Sequence, residues 1–167
     1  MIEIRDEQPK DIEAIREVNI RAFGQVQEAD LVDKLRQNCD DLLSLVAVMQ
    51  NKVVGHILFS PASIKSKART VQGMALAPMA VLPEFQQRGV GSELVRTGIA
   101  ELKRRLSPFV IVLGHAGYYP RFGFEPAGVY GIRSEWQVPD DAFMLLVLDE
   151  SKMRGISGVA IYRREFT

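Results

Sequence analysis

The segment that most constrains this chain is Phe109-Val110-Ile111-Val112-Leu113-Gly114, a continuous apolar run that reads as a central strand buried on both faces. The residues just before it fit a helix over 92–106, in which Leu94, Val95, Ile99, Leu102 and Leu106 form one apolar stripe. Lys103, Arg104 and Arg105 fall in the last turn, where cations complement the helix dipole, and Ser107-Pro108 ends the helix. Before the helix, Gln72 to Val81 reads as another strand. Pro78 inside that strand cannot donate to a ladder, so it marks a bulge or a splayed strand end. Strand, glycine-bearing loop, helix and buried strand in this order call for an α/β domain with a real core. The composition, 47% hydrophobic and 25% charged, can supply one.

The flanking segments supply further elements. Met1 to Arg5 alternates like a half-buried strand, and Gln8-Pro9-Lys10-Asp11 starts a helix carrying Ile12, Ile15, Val18, Ala22 and Phe23, with Gly24 as its stop. Glu28 to Leu35 fits a second short helix with Leu31, Val32 and Leu35 inward. Leu43 to Met49 and Val53 to Phe59, separated by Gln50-Asn51-Lys52, read as a hairpin. Pro61 to Thr70 reads as a turn region, Gly117 to Gly123 as a compact aromatic turn, and Phe143–Leu148 and Val159–Tyr162 as late strands. No repeat or linker interrupts the chain, so residues 1–167 are expected to form a single domain.

Lys plus Arg and Asp plus Glu both total 21, which argues against a nucleic-acid partner because neutralising phosphates needs a basic excess. No apolar run is long enough to span a bilayer, and the charged N-terminus lacks a signal-peptide stretch, so a soluble cytoplasmic protein, monomeric or homodimeric, is expected. Cys39 is alone and reads as a structural or surface thiol. His56 and His115 stand far apart and outside any Cys/His cluster, so no metal site is expected.

Gln86-Gln87-Arg88-Gly89-Val90-Gly91-Ser92 joins the strand to the helix. The first N–H groups of a helix have no intrahelical partner and, with the dipole, attract a phosphate. Gly89 and Gly91 let backbone approach an anion, Arg88 adds a permanent charge and Ser92 a hydroxyl. The glycines alone are equally compatible with a structural turn. A dinucleotide fingerprint would need a small residue at Leu94, and no Gly-Lys-Ser/Thr of a phosphate-binding loop is present.

Gln86-x-x-Gly89-x-Gly91 resembles the acyl-CoA signature of the GNAT acetyltransferases, and its lead-in Met79-Ala80-Val81-Leu82-Pro83-Glu84-Phe85 is also similar to theirs. Tyr119-Pro120-Arg121-Phe122-Gly123-Phe124 matches the family's Tyr-x-x-x-Gly-Phe. Gly55-His56-Ile57-Leu58-Phe59-Ser60-Pro61 and Tyr118-Tyr119-x-Arg121-Phe122-Gly123-Phe124 are similar to a branch of small bacterial N-acetyltransferases. The resemblance implies a mixed, mostly antiparallel sheet of six to seven strands with a central V-shaped splay, flanked by about four helices. It also implies acetyl-CoA as co-substrate and no metal. Backbone at Met79, Ala80 and Val81 would pair with the pantetheine arm, Gln86, Gln87, Arg88, Gly89, Val90, Gly91 and Ser92 would wrap the pyrophosphate, and Phe122 would touch the cofactor.

The implied reaction is attack of an amine on the acetyl thioester. Tyr119 holds the family position for the acid that protonates the departing thiolate, with Tyr118 as neighbouring alternative and local packing of both rings as a third reading. Glu28 is a candidate base, as are His56 and Glu84, although each also fits an ordinary structural role, and an amine of low pKa needs no base. Phe23, Tyr130 and Trp136 are aromatic candidates for the acceptor side, Trp136 as a lid or a surface anchor. The acceptor is expected to be a small-molecule or peptide amine. A non-catalytic acyl-CoA-binding regulatory module is the alternative.

Overall fold

The computed structural model describes residues 1–167. The chain forms two compact units, one of residues 1–60 with 77–100 and one of residues 61–76 with 101–167.

The first unit starts as an antiparallel meander. β1 (Glu3–Asp6) pairs with β2 (Leu43–Met49) in the register Ile4↔Ala47, and β2 pairs with the first part of β3 (Lys52–Lys65) in the register Leu45↔Ile57. The β2–β3 turn has two central residues at positive φ, Gln50 at 51° and Asn51 at 62°, the backbone that matches strand twist in a tight hairpin. α1 (Ile12–Phe23) buries Ile15, Val18 and Asn19, and Gly24 at φ 70° ends it. α2 (Gln27–Asn38) buries Ala29, Val32 and Leu35, whereas Leu31 is only partly covered. Arg16 ties the two helices together through Asp30 at 2.9 Å and Asp33 at 2.8 Å.

A polar chain runs from the half-buried Arg36, Glu7 and Ser44 to the buried His56 and Asn19. Arg36 donates two 2.9 Å bonds to the Glu7 carboxylate, Ser44 Oγ donates to Glu7 Oε1 at 2.7 Å, and His56 Nε2 stands 3.0 Å from Ser44 Oγ. The Asn19 amide nitrogen lies 3.2 Å from His56 Nδ1 and 3.0 Å from the Ile15 carbonyl. An amide nitrogen can only donate, so Nδ1 must accept and the proton sits on Nε2, which donates to Ser44. The neutral tautomer therefore satisfies every link. Burial pushes the His56 pKa down to about 4, with Glu7 opposing and Arg36 assisting. Burial raises the Glu7 carboxyl, but the bonds from Arg36 and Ser44 outweigh it and hold the group below its usual range.

In the second unit, β3 continues past Pro61 and meets β9 (Gly158–Ile161) from Ser63 onward. A strand persists where a turn was expected. Pro61 falls between the last β2 pair at Phe59 and the first β9 pair at Ser63, where that edge of β3 changes partner. β4 (Thr70–Val81) runs parallel to β5 (Phe109–Leu113) through Met74↔Val110, Ala75↔Ile111 and Leu76↔Val112. β8 (Phe143–Val147) lies antiparallel on the other side of β5, followed by β6 (Glu125–Pro126). β7 (Ile132–Ser134) pairs with β9. The chain thus has nine strands, two more than the upper expectation. β6 and β7 are two and three residues long, too short for any alternation to show in sequence. Phe109, Ile111, Phe143 and Leu145 centre this unit's core, and Trp136 packs against it with its ring 4.8 Å from that of Tyr162. The Trp136 indole is thus partly buried against this core.

α3 (Val90–Arg104) follows the glycine loop, and Leu94, Val95, Ile99 and Leu102 are buried as the stripe requires. Leu106 leaves the stripe: it is 70% exposed and left-handed at φ 65°. Ser107 N donates to Leu102 O and Leu106 N to Lys103 O, both at 3.0 Å, the double bond of a helix stop that normally carries glycine. The short α4 (Glu150–Met153) is capped by Asp149, whose carboxylate accepts from the Ser151 and Lys152 N–H groups.

Two outcomes are expected. Leu106→Gly relieves the left-handed strain without losing packing, and urea unfolding should show a gain of about 0.5–1 kcal/mol. His56 has a folded pKa below its unfolded one, so the unfolded chain binds the proton first and stability falls as pH drops from about 6.5 towards 4. Urea midpoints of the unmutated protein should decline across that window, by up to about 3 kcal/mol in all, and His56→Gln should flatten the slope. Equal slopes in both proteins would refute the assignment.

Candidate active site

The end of β4 and the turn after it are held by backbone and side-chain bonds within the first unit. Leu82 N donates to Val54 O at 2.9 Å, which fixes the strand end to β3. A 3-10 turn, Pro83–Phe85, follows, with Phe85 N donating to Leu82 O at 2.8 Å. The Gln86 side chain then folds back, and its Nε2 donates to Val81 O at 3.0 Å. Gln86 was expected at the pyrophosphate. Its amide nitrogen is engaged in closing the loop, and the residue itself is exposed.

From there the loop opens. Gln86, Gln87, Arg88 and Gly89 are exposed and Val90 is buried, so the chain dives into the core at the first helical residue. Gln87 at φ 62° and Gly89 at φ 84° are both left-handed, and they reverse the backbone on either side of Arg88. A Cβ added at Gly89 would meet nothing within 4 Å, so the backbone angle demands glycine there and the space outside stays open. The first bond of the helical ladder is Glu93 N to Gly89 O at 3.0 Å, which leaves the N–H groups of Val90, Gly91 and Ser92 outside that ladder. The Arg88 guanidinium lies over the Phe85 ring, 5.5 Å from its centroid. Alternating backbone of this kind at a helix start, with a nearby cation, can take an anion. Upstream, Met79 is half-buried and Ala80 and Val81 are buried.

The aromatic turn belongs to the second unit. Beyond β5, His115 O accepts from Tyr118 N at 3.0 Å and Tyr119 N at 3.4 Å, which winds the chain into a 3-10 turn, Tyr119–Phe122. Tyr119 is 7% exposed, with its ring edge-on to Tyr118 at 5.1 Å and to Phe124 at 5.6 Å. A Cβ on Gly114 would stand 2.7 Å from Tyr119 Cε2, so glycine there makes room for the ring. Burial pushes the Tyr119 hydroxyl above its usual range, helped by Tyr118. Tyr118 lies nearer solvent, under the Arg121 guanidinium at 4.5 Å, and Phe122 packs edge-on to it at 5.3 Å. The two tyrosines thus differ in environment as two candidate acids should: one dry, one against a cation.

The candidate bases separate as well. Glu28, in the first turn of α2, is half-exposed, and both its oxygens accept from Gln25 Nε2 at 3.0 Å. His56 is fully buried with both ring nitrogens engaged. Glu84 is bound by Arg21 at 2.8 and 3.1 Å. That pair spans 63 positions, and neither spacing nor motif announces it. Phe23 is 41% exposed, and the Tyr130 hydroxyl donates to Glu125 at 2.8 Å. No three His, Cys, Asp or Glu side chains converge as a metal site would require, and no helix is long and apolar enough to cross a membrane.

A sequence profile described as an acetyltransferase (GNAT) domain matches residues 3–127. The chain is 47% identical over 134 residues to the uncharacterized N-acetyltransferase YjhQ of Escherichia coli K12, covering 78% of this chain and 74% of that protein. It is 32% identical over 164 residues to the uncharacterized N-acetyltransferase YhbS of the same strain, covering 98% and 97%. The crystal structure of E. coli YhbS in complex with CoA superposes with a TM-score of 0.90, covering 99% of this chain and 91% of that one. A GNAT acetyltransferase of Brucella melitensis in complex with acetyl-CoA, 32% identical, gives 0.78 over 100% and 99%. These likenesses extend over the glycine loop and the strands and helices around it, and with them the chain belongs to the GNAT family of acetyltransferases.

Proposed function

We propose that this chain is an acetyl-CoA-dependent N-acetyltransferase, that residues 1–167 act as one catalytic domain, and that a primary amine of a small molecule or peptide attacks the thioester directly. The observation that carries the reading is the loop from Gln86 to Ser92, exposed from Gln86 to Gly89, with its left-handed Gln87 and Gly89 leading into the start of α3. Relatives that are 32% identical and bind CoA or acetyl-CoA support it. In this reading the backbone of Gln86, Gln87, Gly89, Val90, Gly91 and Ser92 receives the pyrophosphate and Arg88 neutralises it. The pantetheine arm pairs with Met79, Ala80 and Val81, which follow the last registered β4–β5 pair, Leu76↔Val112. Phe122 supplies an apolar contact.

Tyr119 is assigned as the proton donor to the departing thiolate. Its raised pKa keeps the hydroxyl protonated at neutral pH. A thiol pKa of about 8.5 belongs to water, and a site that desolvates the phenol also desolvates a thiolate beside it, raising both together. Tyr118 is the alternative donor. Glu28 is assigned as the base, with one hydrogen-bond partner, Gln25, that leaves carboxylate lone pairs for an incoming amine.

The deciding experiment is a broad amine screen for CoA release from acetyl-CoA. Turnover with at least one amine is expected, and CoA binding without turnover on any amine would favour the regulatory-module reading. Tyr119→Phe should lower turnover by about 100-fold or more while leaving CoA binding intact, and unchanged turnover would remove Tyr119 from the chemistry. Arg88→Ala should weaken CoA binding in calorimetry more than binding of a pantetheine fragment lacking phosphates. Equal losses would remove Arg88 from the pyrophosphate.

A further inference from the structure

Glu84 is the one acidic residue between Leu82 and Ser92, and it stands two positions before the loop proposed to hold a pyrophosphate. Left alone, a carboxylate there opposes an anionic ligand. It is not left alone. Arg21, in the last turn of α1, donates from one guanidinium nitrogen to both Glu84 oxygens, at 2.8 and 3.1 Å. Both partners sit at the surface, with side chains 39% and 46% exposed. Exposed pairs of this kind contribute little to global stability. Their local effects here are specific. Leu82 N to Val54 O and Gln86 to Val81 O pin the lead-in to the sheet, and the Arg21 pair pins the Pro83–Phe85 turn between them to a helix. The same pair cancels the charge that would repel phosphate. Lys52 adds a second positive field at the Glu84 carboxylate.

We infer that Arg21 is a positioning residue for the cofactor site through charge: its ion pair masks the Glu84 carboxylate beside the pyrophosphate site, so that Glu84 does not oppose the ligand. The inference rests on the cofactor reading above. It extends that site to a helix that carries none of the motif and gives the motif's acidic lead-in residue a partner in this chain. Because the effect is a charge balance, removing the cation alone lowers affinity, whereas removing both charges largely restores it. A purely structural tie would lose affinity in both cases.

Calorimetric titration of the full chain with CoA separates these outcomes. Arg21→Ala should weaken CoA binding about three- to fivefold at low salt, with the difference shrinking as salt is raised. Arg21→Lys should retain most of the affinity, and Glu84→Gln should bind CoA at least as tightly as the unmutated protein. The double variant Arg21→Ala with Glu84→Gln should recover most of what Arg21→Ala loses. A pantetheine fragment without phosphates should bind all variants alike. Thermal unfolding identifies any variant that fails to fold, and Glu84→Gln then carries the test alone, since looser CoA binding in that variant would overturn charge masking. Unchanged affinity in Arg21→Ala, or no recovery in the double variant, would overturn the inference while leaving the cofactor reading intact. Failure of the unmutated protein to bind CoA would overturn both.

Discussion

The first rung of α3 is Glu93 N to Gly89 O, and the chain ahead of it must turn from the end of β4 into that helix within a few residues. A helix start that buries itself must find caps within the protein. Here Val90 is buried as a side chain while the residues just before it are exposed, so the backbone turns at the surface and only its apolar anchor enters the core. That turn needs a left-handed residue on each side of Arg88, a strand end that does not drift, and a lead-in that does not fold onto the loop. Gln87 and Gly89 supply the first, Leu82 N to Val54 O the second, and the Gln86 side chain on Val81 O the third. Each is a small local bond. Together they hold the turn at the surface, with open space around Gly89.

Elements with strong periodicity were legible in sequence. The α3 stripe, the apolar β5 run and the β2–β3 hairpin follow from spacing alone, since a face buried every third or fourth residue, or every second, leaves few alternatives. What failed to show was set by distant partners. Leu106 continues the apolar spacing of α3, yet the helix has ended and the side chain faces water, because a helix stop depends on backbone bonds to Leu102 and Lys103 that hydrophobicity does not encode. β6 and β7 exist through their partners β8 and β9. Pro61 reads as a breaker, yet on one edge of β3 it falls where the partner changes from β2 to β9.

The candidate site divides along the same line. The loop was legible because a glycine-bearing strand-to-helix connection has a mechanism, and the two motifs flanking β5 gave it a family. The roles of individual side chains were not. Gln86 belongs to the motif, yet its amide closes the loop. Glu84 reads as a solvated carboxylate, yet a guanidinium 63 positions away holds it. His56 was open between base and core because its pKa in water suits a base. The Asn19 amide decides the matter, since a donor at Nδ1 forces the proton to Nε2 and burial makes the imidazolium costly.

Tyr118 and Tyr119 show how environment divides two identical side chains one position apart. In a 3-10 turn, successive residues point in different directions. Gly114 opens the space that one ring takes, and Phe124 closes it, so that phenol is dry. The other lies under Arg121, where a cation above the ring and a bond from Arg121 Nε to the Tyr118 carbonyl fix its orientation. A buried phenol is a poor acid towards water, and water is the wrong reference for a thiolate leaving inside a protein. What matters is the difference between two anions in one environment. Burial that raises the phenol raises a neighbouring thiol with it, so the proposed assignment of Tyr119 as donor requires no group to lower its pKa.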